Sequence, residues 1–196
     1  GRPMCVCGSE GMAGAAVMSA GAALRCGTGL VDAALPRCIY PIVASRLAEP
    51  VFTILDTGHD GKLSEKSEAL FLEALAKSTA CLIGCGLGKS TAAREETAAV
   101  LAKSEVPLVI DADGINIVAE HIDLLHECRA PLILTPHPGE MARLLKTSVA
   151  DVQSNRREMA CRFAAGHNAI TVLKGAGTLV ASPDGRLYRN TTGNPG

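Results

Sequence analysis

Four short segments of the 196-residue chain combine residue types that could do chemistry, and each directly follows an apolar run of strand length. In Leu82-Ile83-Gly84-Cys85-Gly86-Leu87-Gly88-Lys89-Ser90, three glycines at alternate positions separate a strand from a helix start. Glycine permits positive φ and close approach of the main chain, and the first N–H groups of a helix are free to meet an anion. Neither familiar phosphate-binding spacing is met: G-x4-G-K-[ST] ending at Ser90 needs glycine where Ile83 stands, and G-x-G-x-x-G fails at Lys89. A tight turn without ligand and a substrate cradle at Gly86 and Gly88 are both open on these residues alone.

Pro107-Leu-Val-Ile-Asp111-Ala-Asp113-Gly114 sets two carboxylates between a strand and a helix, a place where they could hold magnesium through water or orient a hydroxyl. Function is favoured for Asp111 and helix capping for Asp113. In Leu132-Ile-Leu-Thr135-Pro136-His137-Pro138-Gly139-Glu140 two prolines fix the backbone around His137 and present its imidazole at a strand end. Glu140 falls in the first helical turn, where the helix dipole favours a carboxylate whatever its chemistry. In Val172-Leu173-Lys174-Gly175-Ala176-Gly177-Thr178 an ammonium, main-chain N–H groups and a hydroxyl suit a nucleotide phosphate. The alternative is a plain turn with a solvated lysine.

Other signals carry less. Asp56-Thr-Gly-His-Asp60-Gly61 lacks calcium-loop ligands at its third and twelfth positions, Gly58 and Ser67, and reads as a surface turn. His59, His121, His126 and His167 have no partner at metal-ligand spacing and read as surface or helix-end residues. Arg156, Arg157 and Arg162 read as the wet face of a helix. The eight cysteines include no zinc-site spacing, since Cys81-x3-Cys85 has no matching pair, and the apolar chain needs no staples, so free, mostly buried thiols are expected. Cys5 and Cys7 share one face of a strand. The small-residue run 11–24 lacks the leucine-rich centre of a secretory leader and reads as helix.

To bring the four places together, strands must lie side by side with the same ends aligned. Apolar runs alternate with longer segments of helical period, which predicts parallel strands joined by helical crossovers, an α/β fold. Ligands in such a sheet sit beyond the carboxyl ends of the strands. Strands are predicted at 4–7, 29–33, 51–55, 80–84, 108–111, 132–135, 170–174 and 178–182, and helices at 14–26, 64–78, 90–104, 114–128, 139–145 and 152–166. Ser90 and Asp151 serve as helix caps. Pro183-Asp184-Gly185 makes the turn of an antiparallel hairpin at the sheet edge.

With 47% hydrophobic and 20% charged residues, the chain has core material for one soluble domain, 1–196, and no run of 18 apolar residues for a membrane helix. A net charge of −1 offers no basic field for nucleic acid, and 3% aromatic residues without tryptophan leave no platform for stacking bases. Gly1 in place of methionine, and a glycine-rich run that stops at Gly196, suggest truncation at both ends.

In order along the chain, Gly8-Ser9 with Gly14-Ala15, Ala23-Leu-Arg-Cys-Gly-Thr-Gly-Leu30, Gly84-Cys-Gly-Leu-Gly88, Asp111-Ala-Asp113, Thr135-Pro-His-Pro-Gly-Glu140, Leu173-Lys-Gly-Ala-Gly-Thr178 and Thr192-Gly-Asn-Pro-Gly196 resemble the ADP- or ATP-dependent NAD(P)H-hydrate dehydratase family. The resemblance implies a three-layer ribokinase-like fold, a mostly parallel sheet with helices on both faces. It implies a lyase that removes water from hydrated NADH or NADPH, the (S) form of NAD(P)H hydrate. Hydrolysis of ADP or ATP with Mg2+ drives the step by phosphorylating the ring hydroxyl into a better leaving group. Carried over by position, Lys174, Gly175, Ala176, Gly177 and Thr178 hold the nucleotide phosphates. Ala15, Gly86, Gly88, His137 and Asn194 contact the hydrated dinucleotide, and Asp111 lies near magnesium or substrate.

The same resemblance implies a homo-oligomer with an epimerase domain or protein as partner, and the free thiols favour a reducing interior, the cytoplasm or the mitochondrion of a eukaryote. Two departures stand out. The family's Gly-Ser/Thr-Gly-Asp motif, source of the catalytic aspartate, is expected beyond Gly196, so the 196 residues alone are not expected to turn over. Cys85 stands where proline is commoner. A ribokinase-like kinase of a small alcohol and a noncatalytic nucleotide-binding subunit are the alternatives.

Overall fold

The computed structural model describes residues 1–193. These form one sheet of strands β1 (Pro3–Val6), β2 (Asp32–Pro36), β3 (Val51–Leu55), β4 (Ala80–Ile83), β5 (Leu108–Ile110), β6 (Leu132–Leu134), β7 (Ala169–Leu173), β8 (Leu179–Ala181) and β9 (Leu187–Arg189), in spatial order β3-β2-β1-β4-β5-β6-β7-β8-β9. The first seven are parallel, while β8 and β9 run antiparallel at the edge, so two successive hairpins stand where one was expected. The helices are α1 (Ala13–Arg25), α2 (Tyr40–Ala44), α3 (Glu65–Ala76), α4 (Thr91–Lys103), α5 (Ala112–Glu120), α6 (Leu124–Glu127), α7 (Pro138–Leu145), α8 (Val149–Ser154) and α9 (Arg156–His167).

Period-two alternation sorts the strands onto two cores. Met4 and Val6 of β1 join Ile83, Ile110 and Leu134 in the larger core, against Phe71 of α3, Val100 of α4, Ile115 of α5, Met141 of α7 and Phe163 of α9. Cys5 and Cys7 face the other way into a smaller core with Ala33, Leu35, Ala16 and Ala20 of α1, and Val43 of α2. Helices therefore cover both faces, α1 and α2 one and the other described helices the opposite.

Several elements shift from expectation for identifiable reasons. Strand β2 begins at Asp32, three residues later than predicted. Asp32 lies inside the predicted strand and is buried at the start of the observed one, its carboxylate satisfied by Arg2 Nη2 at 2.9 Å and Thr53 Oγ1 at 2.8 Å. Ser90 caps α4 as predicted, accepting from Ala93 N. The cap of α8 is Ser148, with Asp151 answering it as the third helical residue of a capping box. The helix predicted at 152–166 is broken at Asn155, whose N–H and side-chain amide both turn back to Asp151 O. The N–H bond is the ordinary ladder bond closing α8, and the side-chain amide on the same carbonyl is what competes with the ladder, as asparagine often does. The helix predicted at 114–128 is interrupted at His121, where ψ is 67°.

Helix α9 ends in a buried contact that makes stability depend on pH. His167 packs on Phe163 with ring centroids 4.5 Å apart and on His126 at 5.3 Å, and its Nδ1 is buried with no partner. Burial first, and the neighbouring His126 second, hold its pKa below the ordinary value of 6.5. As pH falls through about 6.5 the unfolded chain takes up a proton that the folded chain resists, so stability declines there and the loss is complete below the folded pKa. Denaturant midpoints should fall between pH 7.5 and pH 5.5, and His167→Phe should flatten that decline.

Candidate functional site

The strand order reverses between β1 and β4: β1 leads outward to β2, and β4 leads the other way to β5. The loops leaving these neighbouring strands diverge and open a crevice at the carboxyl edge, the place where open α/β sheets bind ligands. The Gly8-Ser9 loop and the Gly84–Gly88 turn line it. Gly8 N donates to Cys85 O at 2.9 Å, and Ser9 Oγ donates to Gly86 O at 2.8 Å, so the two loops are laced together. Glycine is required by space as well as by φ. A Cβ on Gly86 (φ 64°) would stand 2.6 Å from Ala15 Cβ, in the first turn of α1. Ala15, Gly86 and Gly88 are thus brought together.

Asp113 proves to be neither a helix cap nor a free carboxylate. Its Oδ2 accepts from Gly88 N at 2.9 Å, its Oδ1 from Asn116 at 3.5 Å, and Asn116 Oδ1 in turn accepts from Arg143 of α7 at 2.9 Å. The N-cap of α5 is Asp111, whose side chain makes no capping bond. Asp113 therefore clasps the glycine turn and removes the Gly88 N–H from any anion. With Leu87 N also bound, to Gly84 O at 3.2 Å, two of the turn's N–H groups are already engaged.

The charged part of the edge lies after β5, β6 and β7. Lys174 Nζ sits 2.6 Å from Asp111 Oδ1 and 3.9 Å from Glu140 Oε2. Partial burial works against the charge of Asp111, but hydrogen bonds from Lys174 and Thr135 and the ammonium's charge outweigh it and hold the carboxyl below its ordinary range. His137 is the N-cap of α7: its Nδ1 accepts from Gly139 N at 3.0 Å and Glu140 N at 3.2 Å, while Glu140 returns the bond by accepting from His137 N at 2.8 Å. Its Nε2 lies 3.3 Å from Glu140 Oε1, and the ring is half exposed at the edge. Glu140 is thus structural and electrostatic at once, a buried carboxylate bridging the imidazole and the lysine.

The 174–178 turn is held from beneath. Lys174 N donates to Pro136 O at 2.8 Å, and Thr178 Oγ1 donates to Gly175 O at 3.0 Å. Arg156, read from sequence as a wet helix face, instead reaches under the turn. Its Nη2 donates to Leu173 O at 3.0 Å and Lys174 O at 3.3 Å. A Cβ on Gly175 (φ 135°) would meet the guanidinium at 3.0 Å. Arg157 and Arg162 are exposed as expected. An open hollow of about 410 Å³ flanks the turn, lined by Arg156, Arg157, Gly177, Leu179, Leu187 and Arg189. Arg156→Ala should cost about 1–2 kcal/mol of stability by stripping charge-assisted bonds from two strand-end carbonyls. It should also loosen nucleotide binding several-fold, whereas Arg157→Ala does neither; thermal unfolding and calorimetric titration read both.

Lys174, Gly175, Ala176, Gly177, Thr178, Asp111 and His137 therefore share one edge with Ala15, Gly86 and Gly88. Asn194 lies outside the described residues. Among the described residues no three histidine, cysteine, aspartate or glutamate side chains are grouped to hold a metal ion, and the second Asp111 oxygen, Oδ2, accepts from the Cys85 thiol at 3.9 Å. These side chains do not by themselves build a magnesium site.

The family model described as NAD(P)H-hydrate dehydratase matches residues 4–196. The bifunctional NAD(P)H-hydrate repair enzyme Nnr of Moorella thermoacetica is 43% identical over 196 residues, all of this chain and 37% of that protein. This chain therefore spans little more than a third of that relative. Among solved structures, ADP/ATP-dependent NAD(P)H-hydrate dehydratase from Bacillus subtilis, co-crystallised with ATP/Mg2+, superposes with a TM-score of 0.79 at 27% identity, over 99% of this chain and 65% of that one. A ribokinase-like superfamily protein from Enterococcus faecalis superposes at 0.85 with 24% identity, covering 100% and 64%, and shows the fold alone. With its switch-point crevice, its lysine-bearing turn and a family match running almost end to end, this chain is a member of the NAD(P)H-hydrate dehydratase family, built on the ribokinase-like fold.

Proposed function

We propose that this chain forms the substrate and phosphate edge of an enzyme that dehydrates hydrated NADH or NADPH at the expense of ADP or ATP. The observation that carries the reading is the division of labour along one sheet edge. The crevice between β1 and β4 has the N–H groups of Gly84, Leu87 and Gly88 already engaged and brings Ala15, Gly86 and Gly88 together as an uncharged wall suited to a planar ring and its amide. The Lys174–Thr178 turn supplies the ammonium, glycine main chain and hydroxyl that a polyphosphate needs. The half-exposed imidazole of His137 stands between the two, held in place by its cap bonds, where it can meet a ribose or ring hydroxyl.

Phosphoryl transfer asks mainly for positioning and charge neutralisation. Lys174, withdrawn from Asp111 toward an arriving phosphate, provides both, and Glu140 and Asp111 keep it aimed. The homology to nucleotide-dependent dehydratases and the edge chemistry support the same substrate pair. The test offers the full-length protein hydrated NADPH beside small alcohols of the vitamin-precursor kind, with ADP or ATP, and follows phosphate release. Release that depends on the hydrate is expected. Phosphorylation of an alcohol in its place would assign a kinase.

A further inference from the structure

We propose that Cys85 is a site of oxidation by hydroperoxides, and that Cys7 is the thiol that resolves the oxidised sulfur into a disulfide across the glycine turn. Three thiols that the function above does not use, those of Cys5, Cys7 and Cys85, meet in the smaller core beside α1. The pairing of Val6 with Ile83 continues into the bond from Gly8 N to Cys85 O, so the end of β1 and the turn after β4 lie side by side. In a straight continuation of β4, Cys85 would point to the opposite face from Cys7. Gly84, with φ of 119°, turns the chain and swings the thiol back to the face of Cys7. The Cys7 thiol and the Ser19 hydroxyl of α1 then lie within reach of the Cys85 sulfur, and the Cys85 thiol itself donates to Asp111 Oδ2 at 3.9 Å.

Access separates the roles. Cys85 is half-buried at the crevice, whereas Cys7 and Cys5 are 1% and 2% exposed. A small oxidant therefore reaches Cys85 first, and Cys7 stands directly behind it. Hydrogen bonding from Cys7, helped by Ser19 and the Lys174 ammonium and opposed by burial and the Asp111 carboxylate, lowers the Cys85 pKa to about 7, while burial pushes Cys5 up to about 12. The thiolate is the reactive form.

The chemistry needs one equivalent of a hydroperoxide. The Cys85 sulfur attacks hydrogen peroxide, an S–O bond forms as the O–O bond breaks, and water leaves; sulfur is oxidised by two electrons and peroxide reduced by two. The Cys7 sulfur then attacks the sulfenic sulfur, the S–S bond forms, the S–O bond breaks, and the departing hydroxide takes the Cys7 proton as a second water. The disulfide would tie β1 to the turn that carries Gly86 and Gly88.

The test treats the full-length protein with stoichiometric hydrogen peroxide, blocks remaining thiols by alkylation and maps the peptides by mass spectrometry. A Cys7–Cys85 cross-linked peptide, reversed by dithiothreitol, is expected to form about fivefold or more faster than oxidation of the exposed Cys26 and Cys38. In Cys7→Ser, Cys85 should stop at a sulfenic acid captured by dimedone. Cys85 staying reduced while Cys26 or Cys38 oxidises would overturn the proposal, as would Cys85 pairing with any other cysteine. The wild-type map decides the matter even if the Cys7 variant does not fold.

Discussion

Replacing Lys174 with methionine should weaken ADP and ATP binding by about tenfold or more, the scale set by losing a charge-assisted hydrogen bond to phosphate. Titration calorimetry on the full-length variant measures it. The same change strands Asp111, which loses a partner 2.6 Å away. Its side chain is 26% exposed and that of Lys174 39%, so water screens much of the pair and the stability cost should stay near 1 kcal/mol. Adding Asp111→Asn to Lys174→Met should return most of that stability without returning nucleotide affinity. The double variant thus separates two jobs of one ammonium, neutralising a neighbour in the resting site and holding phosphate in the loaded one. Equal recovery of both quantities would show that Lys174 is only a structural ion-pair partner.

Gly84→Ala should be the most destabilising single methyl group in the molecule's glycine turns. An added Cβ would stand 2.0 Å from Asp111 O, 2.6 Å from Gly114 N and 2.9 Å from Gly114 Cα, all main-chain atoms of the neighbouring strand end and helix start. Its φ of 119° lies where L-residues are strained. Nothing there is a flexible side chain that could yield, so a loss of about 4 kcal/mol or more is expected, with Tm falling by about 10 °C. Gly88→Ala is the matched control. It shares the positive φ, at 75°, but its Cβ would meet only the Ser9 side chain at 3.5 and 3.9 Å. It should cost about 1 kcal/mol, the left-handed backbone penalty alone. Thermal unfolding of the two variants separates close approach from conformational preference.

Much of this edge was legible because each functional turn directly follows a short apolar strand. Lys174, His137, Asp111, Gly86 and Gly88 all stand at strand ends, and parallel pairing puts every such end on one side of the sheet. What the residues could not disclose was which strands are neighbours. The β1/β4 switch point exists only once β1 is seen to sit between β2 and β4, and no local pattern carries that order. The resemblance of the motifs supplied it indirectly, as a fold.

The misreadings share a cause: a polar residue's partner lies far away in sequence. Arg156 has the spacing of an exposed helix position, and the carbonyls it serves belong to β7 and Lys174. Asp113 sits where a helix cap would, yet its acceptor oxygens serve Gly88, twenty-five residues earlier. A hint was available for Asp113, because a second carboxylate facing a glycine turn one strand away has a clear donor to meet. Arg156 offered none.

The most direct measurement of the account is recovery of the reduced-nicotinamide absorbance when the full-length protein is given hydrated NADPH, with and without ADP or ATP and magnesium. The account predicts NADPH returning only when nucleotide is present, one phosphate released for each ring restored, and both signals falling together in Lys174→Met. Restoration of NADPH without nucleotide, or steady nucleotide hydrolysis that leaves the hydrate untouched, would contradict it.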